Sequence, residues 1–221
     1  MSIENNNLPP GAPPPPPGGQ GGQGPNKEGT FSQEFRHQPV SARVPERLSE
    51  GVLSTGVLVL DGPNEFVIDF MQALTRPFRV ATRVVLSPAV MEQFVAAVRD
   101  NIARFEQRFG VIPPLPKPPT DRRPTLQEIY DEFKLPEEQM SGNYANAVMV
   151  GHSASEFFFD FITNFYPTSA VSSRVFLSAP QMPRLLDAVQ VAFGRFQQRV
   201  NQARQGQNPN QQPPPQPPPT T

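Results

Sequence analysis

Hydrophobic residues follow two spacings along the middle of the chain, and one spacing gives way to the other. Residues 56–60 and 65–71 are short runs rich in β-branched and aromatic residues, separated by Asp-Gly-Pro-Asn, which is typical of a hairpin turn. A third such run covers residues 80–86. Beyond it the apolar residues recur every three or four positions, as in an amphipathic helix. The pattern therefore predicts three strands followed by one helix.

The helix has clear end signals. Ser87-Pro88 places a hydroxyl at the N-cap and a proline at the first helical position, and Gly110 marks the end. Its apolar stripe is Met91, Val95, Val98, Ile102, Phe105 and Phe109. A second stripe, preceded by Ser178 as the predicted cap, is Met182, Leu186, Val189, Phe193, Phe196 and Val200. Each helix of about 22 residues is expected to be roughly 33 Å long.

The second half of this pattern is a copy of the first, displaced by 91 residues. Aligning residues 44–109 with residues 135–200 without gaps gives 21 identical positions out of 66. The motif Glu-Phe-x-x-Asp-Phe begins at Glu65 and again at Glu156. The strands of the second copy are predicted at residues 147–151, 156–162 and 171–177. We interpret the chain as a tandem duplication.

A single copy is small for a stable core, since burial is marginal at about 66 residues. Alternation along the second strand puts Phe157, Phe159 and Phe161 on one face and the acids Glu156 and Asp160 on the other. We therefore predict an α+β fold of two β-β-β-α repeats. They are expected to dock as one pseudo-twofold unit, a pseudo-dimer within one chain, with an antiparallel sheet packed on two long helices.

Prolines and glycines mark the predicted boundaries, since most of the 30 prolines and 15 glycines lie outside the two copies. We predict a disordered Pro/Gly-rich tail over 1–40, repeat 1 over 44–110, a proline-rich linker with a short helix over 111–134, repeat 2 over 135–201, and a disordered Gln/Pro-rich tail over 202–221. Thr125 and Glu128 fit a capping box for the linker helix. The proline run at 13–17 suits either a solubilising tail or a ligand for a protein partner.

Charge and cysteine content narrow the function. The formal net charge is −1, so no global field draws the chain to nucleic acid or to an anionic membrane. There is no cysteine, which excludes disulfides, thiolate nucleophiles and zinc sites that need sulfur. Residues 1–7 lack the features of a signal peptide, and no apolar run approaches the ~20 residues of a spanning helix. We expect a cytoplasmic protein without membrane association.

Four acids in the repeated motif are the first candidates for chemistry: Glu65, Asp69, Glu156 and Asp160. Acids four residues apart on a strand are separated by about 13 Å, too far for a paired-carboxylate catalytic site. Arg83 and Arg174 lie on the predicted neighbouring strands. We predict that these arginines form cross-strand ion pairs with the acids and fix the strand register.

Other catalytic or metal-binding patterns are not found. The two histidines, His37 and His152, are too few for a metal site, and no calcium-loop spacing occurs. His152 occupies the turn position that matches Asp61, and turn chemistry explains that exchange. Neither a nucleophile elbow nor a phosphate-binding loop is present. We expect no catalytic residue, no metal and no cofactor, and hence no enzyme.

Two functions remain open. The favoured one is a non-enzymatic interaction or assembly module. The alternative is single-stranded nucleic-acid binding, in which sheet aromatics stack on bases and helix arginines contact phosphates. The arginines proposed for it are Arg104, Arg108, Arg195 and Arg199. The acids on the same sheet face and the low net charge argue against that alternative.

With these residues identified, the second copy resembles a small prokaryotic family known only as a domain of unknown function. The matching residues are Tyr144-Ala145-Asn146, His152-Ser153, Glu156-Phe157, Asp160-Phe161, Arg174 and Ser178. The first copy keeps the Glu65 motif, Arg83 and Ser87-Pro88, but departs at Ser54-Thr55-Gly56 and Asp61-Gly62. The resemblance implies a shared fold, usually one copy per chain, and no activity. The outline is also similar to the purine-rich-element-binding and Whirly proteins, which bind single strands.

Overall fold

The computed structural model describes residues 42–116, 122, 124–165 and 167–206, and every structural statement below refers to those residues. The predicted N-terminal tail, 1–40, lies outside them. So does the predicted C-terminal tail apart from residues 202–206, which continue the last helix rather than beginning a tail.

Each repeat contains four strands and one long helix. Repeat 1 comprises β1 (Val52–Ser54), β2 (Gly56–Asp61), β3 (Phe66–Gln72), β4 (Arg79–Leu86) and α1 (Pro88–Phe109). The linker contributes α2 (Leu126–Glu132). Repeat 2 comprises β5 (Asn143–Ala145), β6 (Ala147–His152), β7 (Glu156–Thr163), β8 (Ala170–Ser178) and α3 (Met182–Gly206). The predicted long strands and helices are present, but the three-residue strands β1 and β5 are additional.

The helix ends differ in detail from the prediction. Thr125 and Glu128 form the expected capping box at the start of α2. Ser87 takes the extended N-cap conformation, but its side chain makes no capping hydrogen bond. Ser178 is not the cap of α3, because a single 3₁₀ turn, Ala179–Gln181, follows it and α3 begins at Met182.

The strands form two mixed four-stranded sheets, in the orders β2-β3-β4-β5 and β1-β8-β7-β6. The prediction of an antiparallel sheet is therefore incomplete, because each short strand leaves its own repeat and pairs in parallel with the sheet of the other. Val52 lies opposite Val175 and Asn143 lies opposite Val84, which is the same pairing displaced by 91 residues. A three-residue strand carries too little alternation to be recognised from sequence.

The helices also cross between repeats. Helix α1 packs against β6 and helix α3 packs against β2, and the two helices contact each other. The phenylalanine face of each long hairpin strand therefore lies under the helix of the other repeat. Phe66 contacts Phe196 with ring centroids 5.3 Å apart, and the corresponding pair, Phe157 and Phe105, is separated by 5.2 Å. Helix register against the hairpin is thus the same in both halves.

A single hydrophobic core results from these exchanges, with fully buried residues from both repeats. Phe70 lies 5.6 Å from Phe161 between ring centroids, which joins the two sheets directly. Beside them, the hydroxyls of Thr82 and Ser173, again 91 residues apart, are hydrogen-bonded at 3.0 Å. No helix in the described part of the chain is long and apolar enough to cross a membrane.

Candidate functional site

The predicted cross-strand ion pairs are present at two of the four acids. Arg83 donates from Nε and Nη2 to the two carboxylate oxygens of Asp69 at 2.7 and 2.8 Å, and Arg174 makes the same pair of bonds to Asp160. The strand register places each arginine directly opposite its acid. Asp69 is 0% exposed and Asp160 is 1% exposed. Their hydrogen bonds to these carboxylates raise the pKa of both arginines, so the guanidinium groups stay charged.

Both pairs depend on a glycine in the strand-entry turn. Gly51 and Gly142 have φ values of 65° and 71°, a region that side chains rarely adopt. A Cβ at Gly51 would lie 2.8 Å from the Arg174 side chain, and one at Gly142 would lie 3.0 Å from that of Arg83. The turn therefore passes directly over the arginine and helps to bury the ion pair.

The first of these pairs has a partner that the second lacks. Tyr130 of the linker helix α2 donates to Asp69 at 2.5 Å and accepts from Arg83 at 3.1 Å. Burial and then the Asp69 carboxylate raise the pKa of Tyr130 to about 12, so it stays protonated at neutral pH. Helix α2 thereby covers the outer face of the first sheet at this point.

The other two predicted acids do not take part in these ion pairs. Glu156 accepts from the hydroxyls of Ser153 and Ser155 at 3.0 and 2.6 Å, within its own turn. Glu65 also lies over its own turn, because a Cβ at Gly62 would meet its carboxylate. Each acid lies four residues before the aspartate that faces the arginine: Glu65 lies just ahead of β3, and Glu156 is paired with Ser178 at the start of β7. The prediction of ion pairs is therefore wrong for Glu65 and Glu156.

An ion cluster that the sequence did not reveal lies at the first hairpin turn. Asp61, at the end of β2, accepts from Arg195 Nε at 3.0 Å and from Arg199 Nη1 at 2.5 Å. Arg199 also donates to the Gly62 carbonyl at 3.0 Å. Burial raises the pKa of Asp61, but the hydrogen bonds from the two arginines outweigh that effect and hold the pKa below its usual range. We call Asp61, Arg195 and Arg199 the Asp61 corner.

The matching place in the other half has the arginines without the acid. His152 ends β6 as Asp61 ends β2, and Arg104 and Arg108 of α1 correspond to Arg195 and Arg199. Among the described residues, neither Arg104 nor Arg108 forms an ion pair; Arg108 lies over the Phe109 ring, 5.2 Å from its centroid. We call His152, Arg104 and Arg108 the His152 corner.

The imidazole of His152 is held by aromatic rings rather than by polar partners. The ring centroids of Phe157 and Phe105 lie 5.2 and 5.6 Å from it, and that of Phe109 lies 6.2 Å away. Its Nδ1 atom is buried with no hydrogen-bond partner among the described residues. Burial, and then the charges of Arg108 and Arg104, lower the pKa of His152. The imidazole is therefore neutral at neutral pH and cannot neutralise the arginines as Asp61 does.

An open, largely apolar groove of about 500 Å³ adjoins His152 on the outer face of the second sheet. It is lined by Leu53, Phe158 and Phe176, which stand side by side on adjacent strands, with Glu156 and Ser153 at its rim. Leu53 is 42% exposed. The Phe158 ring lies over Gly151, where a Cβ would come within 2.4 Å of it. His152 therefore borders both the groove and the helix that carries Arg104 and Arg108.

A second cavity, of about 350 Å³, lies where the two repeats meet. Its polar lining includes Thr82, Ser173 and Asn143, and these groups are hydrogen-bonded among themselves. Because the lining satisfies itself, we interpret this cavity as part of the interface between the repeats. Within the described residues, no group of three or more histidine or acidic side chains is placed to hold a metal ion.

The four arginines proposed as nucleic-acid contacts are thus divided by the structure. All four are exposed, but Arg195 and Arg199 are paired with Asp61, whereas Arg104 and Arg108 form no ion pair with a described residue. Sequence reasoning missed the Asp61 and Tyr130 contacts, because both join elements that are far apart in the chain. The sequence did show that the two helices carry arginines at the same spacing. It did not show that each helix packs on the hairpin of the other repeat, which is what brings those arginines to the turns.

The chain matches the family described as "Protein of unknown function (DUF3467)" twice, over residues 19–113 and 118–203. The chain belongs to this family. The two matches confirm the resemblance noted from the second copy and the presence of two tandem copies. The DUF3467 matches begin well before the predicted repeat boundaries at residues 44 and 135, so the family domain includes the segment ahead of each short strand. No curated protein matches the chain significantly.

Proposed function

We propose that this DUF3467 protein is a non-enzymatic interaction module. Its two fused β-β-β-α repeats, each extended by one short strand, form one pseudo-twofold unit, and it binds a protein partner at the His152 corner and the adjoining groove. The observation that carries the proposal is the difference between two corners of the same construction. One is closed by an internal carboxylate, and the other presents free cations beside an apolar surface.

The exchanged elements support the pseudo-twofold arrangement. Short strands and helices cross between repeats in the same way in both directions, as in a homodimer of single-copy domains. Fusion of two copies in one chain allows the halves to carry different residues at matching places. Asp61 and His152 are such a difference, and so are Leu60/Val67 and Gly151/Phe158 on the outer sheet faces.

The composition of the His152 corner is that of a binding surface. Interface centres are enriched in aromatic residues and arginine; here the groove contains Phe158 and Phe176, and Arg108 lies over the Phe109 ring. The groove volume suits one or two side chains of an extended peptide. Its open shape, with no acid–base pair and no metal-binding cluster among the described residues, favours recognition over catalysis.

A peptide-display selection on the full chain tests this proposal. Random dodecapeptides are selected, and the enriched ones are titrated by fluorescence anisotropy. We expect Leu53→Glu to weaken their binding at least about tenfold, because a peptide that fills the groove would bury the new carboxylate. Tyr144→Glu is the matched control, since Tyr144 occupies the corresponding position in the other half and is similarly exposed. An absence of enriched peptides, or equal effects of the two variants, would contradict the proposal.

Single-stranded nucleic-acid binding is the second candidate, and one observation favours it. The exposed rings of Tyr144 and Phe165 lie parallel, with an interplanar angle of 4° and centroids 6.1 Å apart, as on a stacking surface. Only Arg104 and Arg108 of the four proposed contacts are free to bind phosphate. A titration of mixed single strands at about 50 mM salt distinguishes the two functions. Salt-sensitive binding lost in Tyr144→Ala supports the second candidate, and no binding excludes it.

A further inference from the structure

We propose that the His152 corner binds an acidic residue of a protein partner, with Arg104 and Arg108 holding its carboxylate as Arg195 and Arg199 hold Asp61. This inference rests on the proposed interaction function and names the chemistry that the partner presents. It concerns a specific residue class, an aspartate or glutamate beside an apolar side chain.

The Asp61 corner shows what two arginines at these helix positions can do. Arg195 and Arg199 are four residues apart on α3, and both donate to the same carboxylate. Arg104 and Arg108 have the same spacing on α1. The ring contacts that fix the helices, Phe66 with Phe196 and Phe157 with Phe105, differ by only about 0.1 Å between the halves. A carboxylate at the second corner therefore meets the same donors.

His152 occupies the position of Asp61 without supplying its charge. It makes no hydrogen bond to either arginine, and its ring is packed among phenylalanines instead. Both guanidinium groups are exposed, with ten N–H donors between them and no carboxylate partner among the described residues. Arginine forks match carboxylates geometrically, and charge-assisted hydrogen bonds of this kind are the strong ones.

The surroundings favour a peptide carboxylate over a phosphate. Glu156 at the groove rim carries a negative charge that repels a dianion more strongly than a single carboxylate. The apolar groove begins at His152, so a peptide with an apolar residue near its acid can fill both places at once. The internal precedent at Asp61 is itself a carboxylate at the tip of a turn.

The comparison of the two corners provides the test. A single substitution should give the His152 corner the internal carboxylate that the Asp61 corner already has. The probe is a fluorescein-labelled peptide with an Asp-Phe-Asp core, and its Asn-Phe-Asn twin is the ligand control. We expect the acidic peptide to bind the full chain at least about tenfold more tightly than its twin, given the strength of charge-assisted hydrogen bonds. His152→Asp should abolish this preference, because the new carboxylate pairs with Arg104 and Arg108. Thermal unfolding verifies that the variant is folded.

Two further variants separate the arginines from general charge. Arg104→Gln combined with Arg108→Gln should also remove the preference, whereas Arg99→Gln, an exposed arginine on the same helix, should leave it intact. Equal affinity for the two peptides, or an acidic preference that survives His152→Asp, would overturn the inference. If display selection yields peptides that need Leu53 but contain no acid, the proposed function stands and this inference is wrong.

The opposite substitution, at Asp61, is an independent check, because it should create a binding site at the other corner. In the His152→Asp background, Asp61→His removes the internal carboxylate from Arg195 and Arg199. We expect acidic-peptide binding to return and to become sensitive to Arg195→Gln and Arg199→Gln. A folded double variant that fails to bind the Asp-Phe-Asp probe would show that the arginine pair alone does not make the site.

Discussion

The Asp61 and His152 corners have the same backbone elements and the same helix register. Only the first contains a carboxylate that pairs with its two arginines. At Asp61 the turn supplies the anion that two arginines need. At His152 the turn supplies a neutral ring, and the arginines remain exposed. The comparison shows how a duplicated fold can use one copy of a corner for stability and leave the other for binding.

A second comparison concerns the outer sheet faces. On the first sheet, Tyr130 from the linker helix completes the buried Asp69–Arg83 pair. On the second sheet the Asp160–Arg174 pair has no such partner among the described residues, and the groove lies one row further along the strands. The linker therefore adds contacts to the half whose corner is already closed. Both differences leave the second half with the more accessible surface.

The largest effect on stability should come from removing the ring contacts between each long helix and the hairpin of the other repeat. Phe66→Ala and Phe157→Ala each remove a fully buried ring from the contact with the opposite helix, and each should cost about 3–5 kcal/mol of unfolding free energy. Chemical denaturation of both variants measures this. Phe109→Ala, at a ring that is 41% exposed, is the control and should cost far less. A small loss in only one of the two variants would show that the helices are not equivalent.

The buried ion pairs offer a finer comparison of the two sheets. Asp69→Asn and Asp160→Asn each leave an arginine without its anion, at a cost of about 3 kcal/mol, the lower end for buried pairs because the arginines are partly exposed. We expect the first variant to lose about 1 kcal/mol more, since the Tyr130 hydroxyl also loses its acceptor. When both substitutions are made in a Tyr130→Phe background, most of the difference between their costs should disappear. Equal costs in the two sheets would show that Tyr130 contributes nothing.

Local features of the fold could be predicted from sequence because they depend on neighbours in the chain. The period-two faces of β3 and β7 and the capping box at Thr125 are of this kind. The Arg83–Asp69 and Arg174–Asp160 pairs also followed, because a hairpin and the next strand fix their register. These contacts need no knowledge of how the repeats dock.

The exchange between repeats could not be predicted in the same way. Three-residue strands such as β1 have no detectable period, and an apolar helix stripe packs equally well on either sheet. The exchange decides which turn lies against which helix. The Asp61 corner could therefore not be predicted from the sequence. The pairing of Glu65 and Glu156 with arginines was wrong because the register places Arg83 and Arg174 opposite the aspartates, four residues further along the strand.

Exchanging the two corner residues should change stability by a smaller amount. Asp61→Asn removes one anion from two partly exposed arginines and should cost about 1 kcal/mol, while His152→Asp should gain up to about that much. The pKa of Asp61 is lowered in the folded state, so its contribution is present above the usual aspartate pKa and is lost as pH falls through the folded value. The difference between wild type and Asp61→Asn should therefore vanish in acid. A difference that persists there would have a cause other than the carboxylate charge.

The smallest effect is the titration of His152, and it reports directly on the second corner. Burial and the charges of Arg108 and Arg104 lower the pKa of His152, so neutral His152 favours folding above its unfolded pKa and this contribution falls as pH drops below it. Arg108→Gln should raise that pKa, because it removes one like charge from beside the imidazole. NMR titration measures the shift, with His37→Ala to assign the signal. The Asp-Phe-Asp peptide should also raise the pKa, because its carboxylate offsets the arginine charges. If neither the substitution nor the peptide changes the pKa of His152, the arginines lie too far from His152 to form one site with it.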